Sequence, residues 1–215
     1  MSHPARKPRH AYHHGDLREA LIQAALRVAE QGGSEAISIK GLATTLGVSQ
    51  PAPYRHFADR EALLVAVTAE AFRQFNATLR EAVARPSKRS KLSRLAQAAL
   101  LFGLERGGIY RLMFASQTVA CAPERSELHA ASRETFALVL DALDAPVADQ
   151  LRERHALQIW ASVHGVVMLA QHGMLTGRSA KVSRAELVED MVAQTLLSLQ
   201  NAAKDAARDW PPSAQ

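Results

Sequence analysis

The 215-residue chain has almost no cysteine: Cys121 stands alone. A single cysteine excludes an internal disulfide framework and suits a reducing compartment. Nothing near it in sequence would depress its pKa, so it reads as a small core residue rather than a redox sensor. Aromatic residues are also few, at 5 %, and runs of β-branched residues are scarce. With Ala and Leu dominant, that argues for helices throughout. No apolar stretch reaches the roughly 18 uninterrupted residues that a membrane span needs. The longest candidate, 157–175, is interrupted by His164, Gln171 and His172. The N-terminus lacks the apolar core of a signal peptide, so the expectation is a cytoplasmic protein without a membrane partner. A phosphate loop, a nucleophile elbow, a metal-protease motif and paired cysteines are all missing, as are internal repeats. No enzyme reading has positive support, and no cofactor or metal is expected.

Acidic residues are missing from two basic stretches. The first dozen residues carry Arg6, Lys7 and Arg9, and residues 85–94 carry Arg85, Lys88, Arg89, Lys91 and Arg94. The formal net charge of +5 is compatible with nucleic acid or another anionic surface, and equally with a solvated tail and a solvated loop. His10, His13 and His14 precede the first helix in a polar segment. They read as part of a loose arm rather than a metal site.

What the chain does have is helical periodicity. Leu17, Leu21, Ala24, Ala25 and Val28 recur at three- and four-residue spacing behind Asp16, and Gly32 and Gly33 stop the run. Ser38 is placed to cap a short helix with Ile39, Leu42, Ala43 and Leu46 on one face. Ser49 is placed to cap a third, reaching about Phe57, and Asp59 a long fourth that ends before Pro86. Five more helices are expected at about 90–106, 108–116, 124–144, 149–175 and 183–204. Asn76-Ala77-Thr78 matches a glycosylation sequon, but it falls mid-helix and is read as incidental.

The stretch 37–57 has the design of a helix-turn-helix. Two short helices crossing near a right angle need a small residue at the crossing, which Ala43 supplies. The tight turn needs one residue at positive φ, which Gly47 supplies. Gln50, Ala52, Tyr54, Arg55 and His56 then occupy the exposed side of a helix whose N-terminal end would enter a major groove. A glutamine pairs bidentately with adenine and an alanine contacts a thymine methyl. Lys40, Tyr54 and His56 suit phosphates. A helical hairpin with solvated polar residues remains the alternative.

Residues 13–75 resemble the DNA-binding domain of tetracycline-repressor-type (TetR family) regulators. The likeness is carried by the helix ending in EQGG, by ISIKGLATTLGVSQ at 37–50 and by PYRHFADREALL at 53–64. The opening HHGDLREALI and the segment APYRHF are similar to a branch whose C-terminal domain is named for a Trp-His-Gly motif. IWASVHGVVML at 159–169 holds Trp160, His164 and Gly165, and GIYRLMFAS at 108–116 is similar to a further segment of that domain. Pro53 departs from the broader pattern, where Leu is usual, and removes one early backbone bond of its helix. The resemblance implies an all-α protein. An N-terminal three-helix helix-turn-helix domain would be joined by a long fourth helix to a C-terminal helical domain for ligand binding and dimerisation. It also implies a homodimer, a near-palindromic operator in double-stranded DNA, and repression relieved by a small molecule. DNA contacts carried over by position fall on Lys40, Thr45, Gln50, Pro51, Ala52, Tyr54, His56 and Arg60.

The expected division is a basic arm over 1–14, a DNA-binding domain over 15–60, a ligand-binding and dimerisation domain over 61–205 and a loose tail over 206–215. In the C-terminal part, Phe102, Tyr110, Met113 and Phe114 are candidates to line a pocket for a small apolar ligand. So are Phe136, Trp160 and Met168, with His164, one turn from Trp160, as a polar anchor. Packing of the same residues into a filled core is the alternative. The last two helices, 149–175 and 183–204, are expected to form the dimer interface as a four-helix bundle, since Val188, Met191, Val192, Thr195, Leu196 and Leu199 make an apolar stripe at helical spacing; the chain's own core is the alternative. An interaction or small-molecule-binding module without operator binding is the second reading of the whole.

Overall fold

Small polar side chains sit where the helices begin. In a computed structural model of the chain, which describes residues 14–115, 122, 124–175 and 181–208, the Ser38 hydroxyl accepts from the Gly41 N–H at 3.2 Å. The Asp59 carboxylate accepts from Ala62 N–H at 2.8 Å, and the hydroxyls of Ser90 and Ser126 do the same for Ser93 and His129 at 3.1 Å each. Each takes one of the N–H groups that the first helical turn leaves without a partner. The elements are α1 (His14–Gly32), α2 (Ile39–Thr45), α3 (Arg60–Ala84), α4 (Lys91–Glu105), α5 (Gly107–Ala115), α6 (Glu127–Ala142), α7 (Asp149–Gln171) and α8 (Arg184–Arg208). The described residues contain no strand, so the all-α expectation holds. Arg6, Lys7, Arg9, His10 and His13 of the expected arm, Cys121, and Trp210 of the tail lie outside the described residues.

α1, α2 and the start of α3 make a small head. Leu21, Ile22, Ile37, Leu42, Phe57 and Leu63 fill its interior, and Ala43 is fully buried. Gly47 takes the turn after α2 at φ 66°, the left-handed region that only glycine enters without strain. The third helix expected over 49–57 is much shorter than that. Its place is taken by a bend and a single 3-10 turn, Pro53–Arg55. The Ala52 N–H reaches back only three residues to the Ser49 carbonyl, at 2.9 Å. Pro53 has no N–H with which to make the next bond, so an α-helical ladder cannot start at Ser49.

α3 belongs to both halves. Leu63 and Leu64 face the head, whereas Phe72, Phe75 and Leu79 pack among α4, α5 and α6. Mid-helix, the buried Asn76 amide donates to the Ala131 carbonyl at 2.9 Å and accepts from the Thr135 hydroxyl at 2.6 Å. That satisfies a polar group whose burial would otherwise be costly and shows the sequon to be a structural joint between α3 and α6. Head and body also meet at α1 and α5. The Glu30 carboxylate accepts from the Gly108 N–H at 3.1 Å and from the Arg106 guanidinium at 3.2 Å. A Cβ on Gly108 would lie 2.3 Å from the Ala29 carbonyl oxygen, so only glycine admits this approach.

α7 and α8 pack on each other and on α4. The apolar stripe of α8 points inward. Val188, Val192, Thr195 and Leu199 are buried within the single chain, with Met191 and Leu196 partly buried against the same core. Leu157 and Leu169 on α7 and Leu197 on α8 are the large apolar side chains left exposed on these helices, at 60 %, 42 % and 57 %. The basic run 85–94 is partly structural. One Arg94 Nη1 donates to the carbonyls of Val83 and Arg85 at 2.6 and 2.5 Å, closing the end of α3, and Arg89 pairs with Glu189 of α8 at 2.9 Å. Among the described residues no helix is long and apolar enough to cross a membrane.

Candidate DNA-reading surface and effector cavity

The head presents one polar face. Lys40, Thr45, Gln50, Pro51, Tyr54 and Arg55 are exposed on it. The Gln50 amide leans over α2, donating to the Thr44 hydroxyl at 3.3 Å, while that hydroxyl donates to the Lys40 carbonyl at 3.1 Å. Gln50 is thereby held loosely against the end of α2, with its amide still available to exchange these weak bonds for a base edge. Thr45 spends its hydroxyl on the Gly41 carbonyl at 3.0 Å. Ala52 is half-buried against the head's core, and His56 is half-buried with its Nε2 enclosed and without a partner. Arg60 is occupied differently. Its Nε donates to the Ile37 carbonyl at 2.9 Å and its Nη2 to the Ser34 carbonyl at 2.7 Å. These charge-assisted bonds fix the chain as it enters α2.

In the body, a cavity of about 40 Å³ lies between α3, α4, α5, α6 and α7. Tyr110, Phe114, Trp160 and His164 line it. The Tyr110 hydroxyl and His164 Nδ1 are 3.1 Å apart, and the two rings stack with centroids 5.6 Å apart. Phe114 stands roughly edge-on to Trp160 and His164 at 6.1 and 5.1 Å. Burial pushes the Tyr110 hydroxyl well above its ordinary pKa and pulls His164 below its own, so both are neutral at pH 7.

The other four candidates sit around this cavity rather than on it. Phe102 packs on Phe75 with centroids 5.0 Å apart. Met113 is buried in the core. Phe136 leans on Trp160 at 5.6 Å. Met168 is half-buried one turn beyond His164, packed against the core. Phe75, Leu95, Ala99, Val139, Ile159 and Val163 also line the cavity, outside the set of pocket candidates that the sequence singled out.

Residues 21–67 match the family model described as bacterial regulatory proteins, tetR family, and residues 92–195 match that of a tetracyclin repressor-like C-terminal domain. The chain belongs to the TetR family. It is similar to the class C tetracycline repressor protein of Escherichia coli, 46 % identical over 61 residues that make up 28 % of this chain and 27 % of that protein. The aligned stretch thus spans about a quarter of that relative. A protein of unknown function from Rhodococcus sp. RHA1 is 30 % identical, with 89 % of this chain and 99 % of that one superposed at a TM-score of 0.73. A tetR-family transcriptional regulator from Streptomyces coelicolor shares the fold at 17 % identity and a TM-score of 0.65, over 93 % of this chain and 92 % of its own.

In the head, Thr44 is the residue that the sequence did not single out: it links Lys40 to Gln50, and its only signal was a threonine four residues after Lys40. Arg55, read as exposed beside Tyr54, is exposed there.

Proposed function

We propose that this TetR-family chain is a repressor. As a homodimer it binds a near-palindromic operator in double-stranded DNA, and it leaves when a small apolar ligand enters the body. The observation that carries the reading is the head itself: a well-packed core behind one exposed face of Lys40, Gln50, Tyr54 and Arg55. Gln50 is the base reader, and Lys40, Tyr54 and Arg55 hold phosphates. Thr45, Pro51, Ala52 and His56 supply the close approach, and Arg60 acts by holding the entry to α2. Residues 15–60 form the reading domain and 61–205 the sensing and dimerising domain. Trp160, His164 and Gly165 support assignment to the Trp-His-Gly branch.

The two-fold partner is a second copy of the chain docked on the outer face of α7 and α8. Leu157, Ala161, Gly165 and Leu169 follow one another at four-residue spacing on that side of α7, and Ala193 and Leu197 on that side of α8. Small residues between leucines let helices approach closely in a four-helix bundle. A ligand that prefers the non-DNA-binding arrangement lowers operator affinity by the same factor. A preference of about 100-fold, roughly 2.7 kcal/mol, releases an operator held near its dissociation constant.

The test is a gel shift with the intergenic DNA upstream of the protein's own gene, repeated over a range of salt. A discrete complex that resists competitor DNA and weakens steeply with salt is expected. Equal affinity for unrelated sequences would remove the operator reading.

A further inference from the structure

The chemistry of the body cavity narrows what it accepts. We propose that the effector is a small uncharged aromatic molecule carrying a single hydroxyl-type group, held by the rings of Phe75, Phe114 and Trp160 and anchored on the Tyr110–His164 pair. The inference rests on reading this cavity as the effector site and specifies the class of molecule that fills it.

Charge is excluded first. No lining residue is an Asp, Glu, Lys or Arg. An ion placed there would be stripped of water and given no counter-charge, which costs several kcal/mol. Burial disfavours the charged forms of Tyr110 and His164 as well. A quaternary ammonium is disfavoured on the same ground.

The anchor is set by geometry. Thr135 also lines the cavity, but its hydroxyl proton is committed to Asn76 Oδ1 at 2.6 Å. The Tyr110 hydroxyl and His164 Nδ1, 3.1 Å apart, form the one polar pair bonded to each other among the lining residues. A phenolic oxygen has one donor and two acceptor positions. If it donates to Nδ1, it still accepts; if it accepts from Nδ1–H, it still donates. A ligand hydroxyl satisfies either arrangement. Size comes last. The cavity is about 40 Å³ and only partly enclosed, whereas an apolar cavity of about 150 Å³ takes a benzene ring. It must therefore expand to admit even one ring, which disfavours larger molecules. Phe114 and Trp160 are only half-buried and are the walls freest to yield.

The experiment uses the full chain with Trp210→Phe, so that Trp160 is the one tryptophan. Phenol, toluene, benzoate and benzyltrimethylammonium are titrated at pH 7, reading Trp160 fluorescence and thermal stability together. Phenol is expected to bind about tenfold more tightly than toluene, the worth of one hydrogen bond to a buried group. Benzoate and benzyltrimethylammonium should bind at least 100-fold more weakly than phenol. Tyr110→Phe, added to that background, should abolish the phenol–toluene difference and leave toluene within about twofold. Toluene matching phenol in the unaltered cavity overturns the anchor, and a charged probe binding as well as phenol overturns the class; in both cases the cavity stands as a binding site. If no probe alters fluorescence or stability, the cavity reading itself falls, and the proposal with it.

Discussion

Gly107 and Gly108 are adjacent, yet alanine at the two positions should have opposite effects. At Gly108 a Cβ would sit 2.3 Å from the Ala29 carbonyl oxygen and 2.5 Å from both the Cα and the carbonyl oxygen of Glu30. All three are backbone atoms, so no side chain can swing aside, and α5 would have to retreat from α1 by on the order of 1 Å to reach ordinary contact. That retreat strains the two bonds to the Glu30 carboxylate. Overpacking of this kind costs about 1–3 kcal/mol, and weakening charge-assisted bonds adds about 1–2. The loss of unfolded-state freedom returns roughly 0.4–1 kcal/mol. A net loss of about 3 kcal/mol is expected for Gly108→Ala, or roughly 6–12 °C in Tm for a chain of this length. At Gly107 the nearest atoms to a Cβ are side-chain atoms of Arg111 and Gln171, 3.5 Å or more away, and φ is not in the left-handed region. Gly107→Ala should therefore gain up to about 1 kcal/mol. Thermal scans of both variants at one protein concentration make the comparison, since a dimer's Tm depends on concentration. A Gly108→Ala protein within 1 °C of the parent would refute the close-approach argument. Equal losses at both positions would point instead to a requirement for backbone freedom.

Three further outcomes are expected. Gln50→Ala should relax preference at one base pair by about 1–3 kcal/mol, while Lys40→Ala should weaken all sequences alike and reduce the salt slope; binding to a panel of single-base operator variants separates the two. Leu197→Glu should shift the protein toward monomer in sedimentation without loss of helix signal, because Leu197 is exposed in the single chain, whereas Val192→Glu, buried within it, should unfold the body. Burial depresses the pKa of His164 in the folded state, so its contribution to stability is complete above the unfolded value of about 6.5 and is lost as pH falls through and below it. His164→Gln should flatten that part of the stability–pH curve, and an unchanged curve would count against burial as the cause.

Local chemistry made most of the fold legible. Ser38 and Asp59 announce helix starts with side chains that act on their own neighbours, whereas no α-helix starts at Ser49, read the same way, and Gly47 announces its turn by the φ it alone tolerates. What escaped the sequence depended on partners far away along the chain. Arg60 is expected from the resemblance as a DNA contact, but its guanidinium is bound to carbonyls more than twenty residues earlier. The α8 stripe has the spacing of an interface and of a core alike, and only the positions of α4 and α7 decide between them. Pro53 weighs more than its one missing bond suggests: losing one N–H at the fifth residue of so short a segment leaves a single 3-10 turn. In the body, tyrosine, histidine and tryptophan at the right spacing found the cavity. Phe102 and Met113 had the same composition and lie elsewhere, since periodicity gives a face and not a depth.

The Asn76 joint bears on how the molecule can move. An amide that donates to a carbonyl and accepts from a hydroxyl of α6 works like a tooth in a rack. If α6 slid along α3 by one turn, the Asn76 amide would lose its bonds to the Ala131 carbonyl and the Thr135 hydroxyl at once in a dry interior. Tilting the two helices together breaks none of these bonds. α3 and α6 should therefore travel as one piece, and hydrogen exchange should protect both to the same degree, with slippage confined to helices joined by apolar contacts alone.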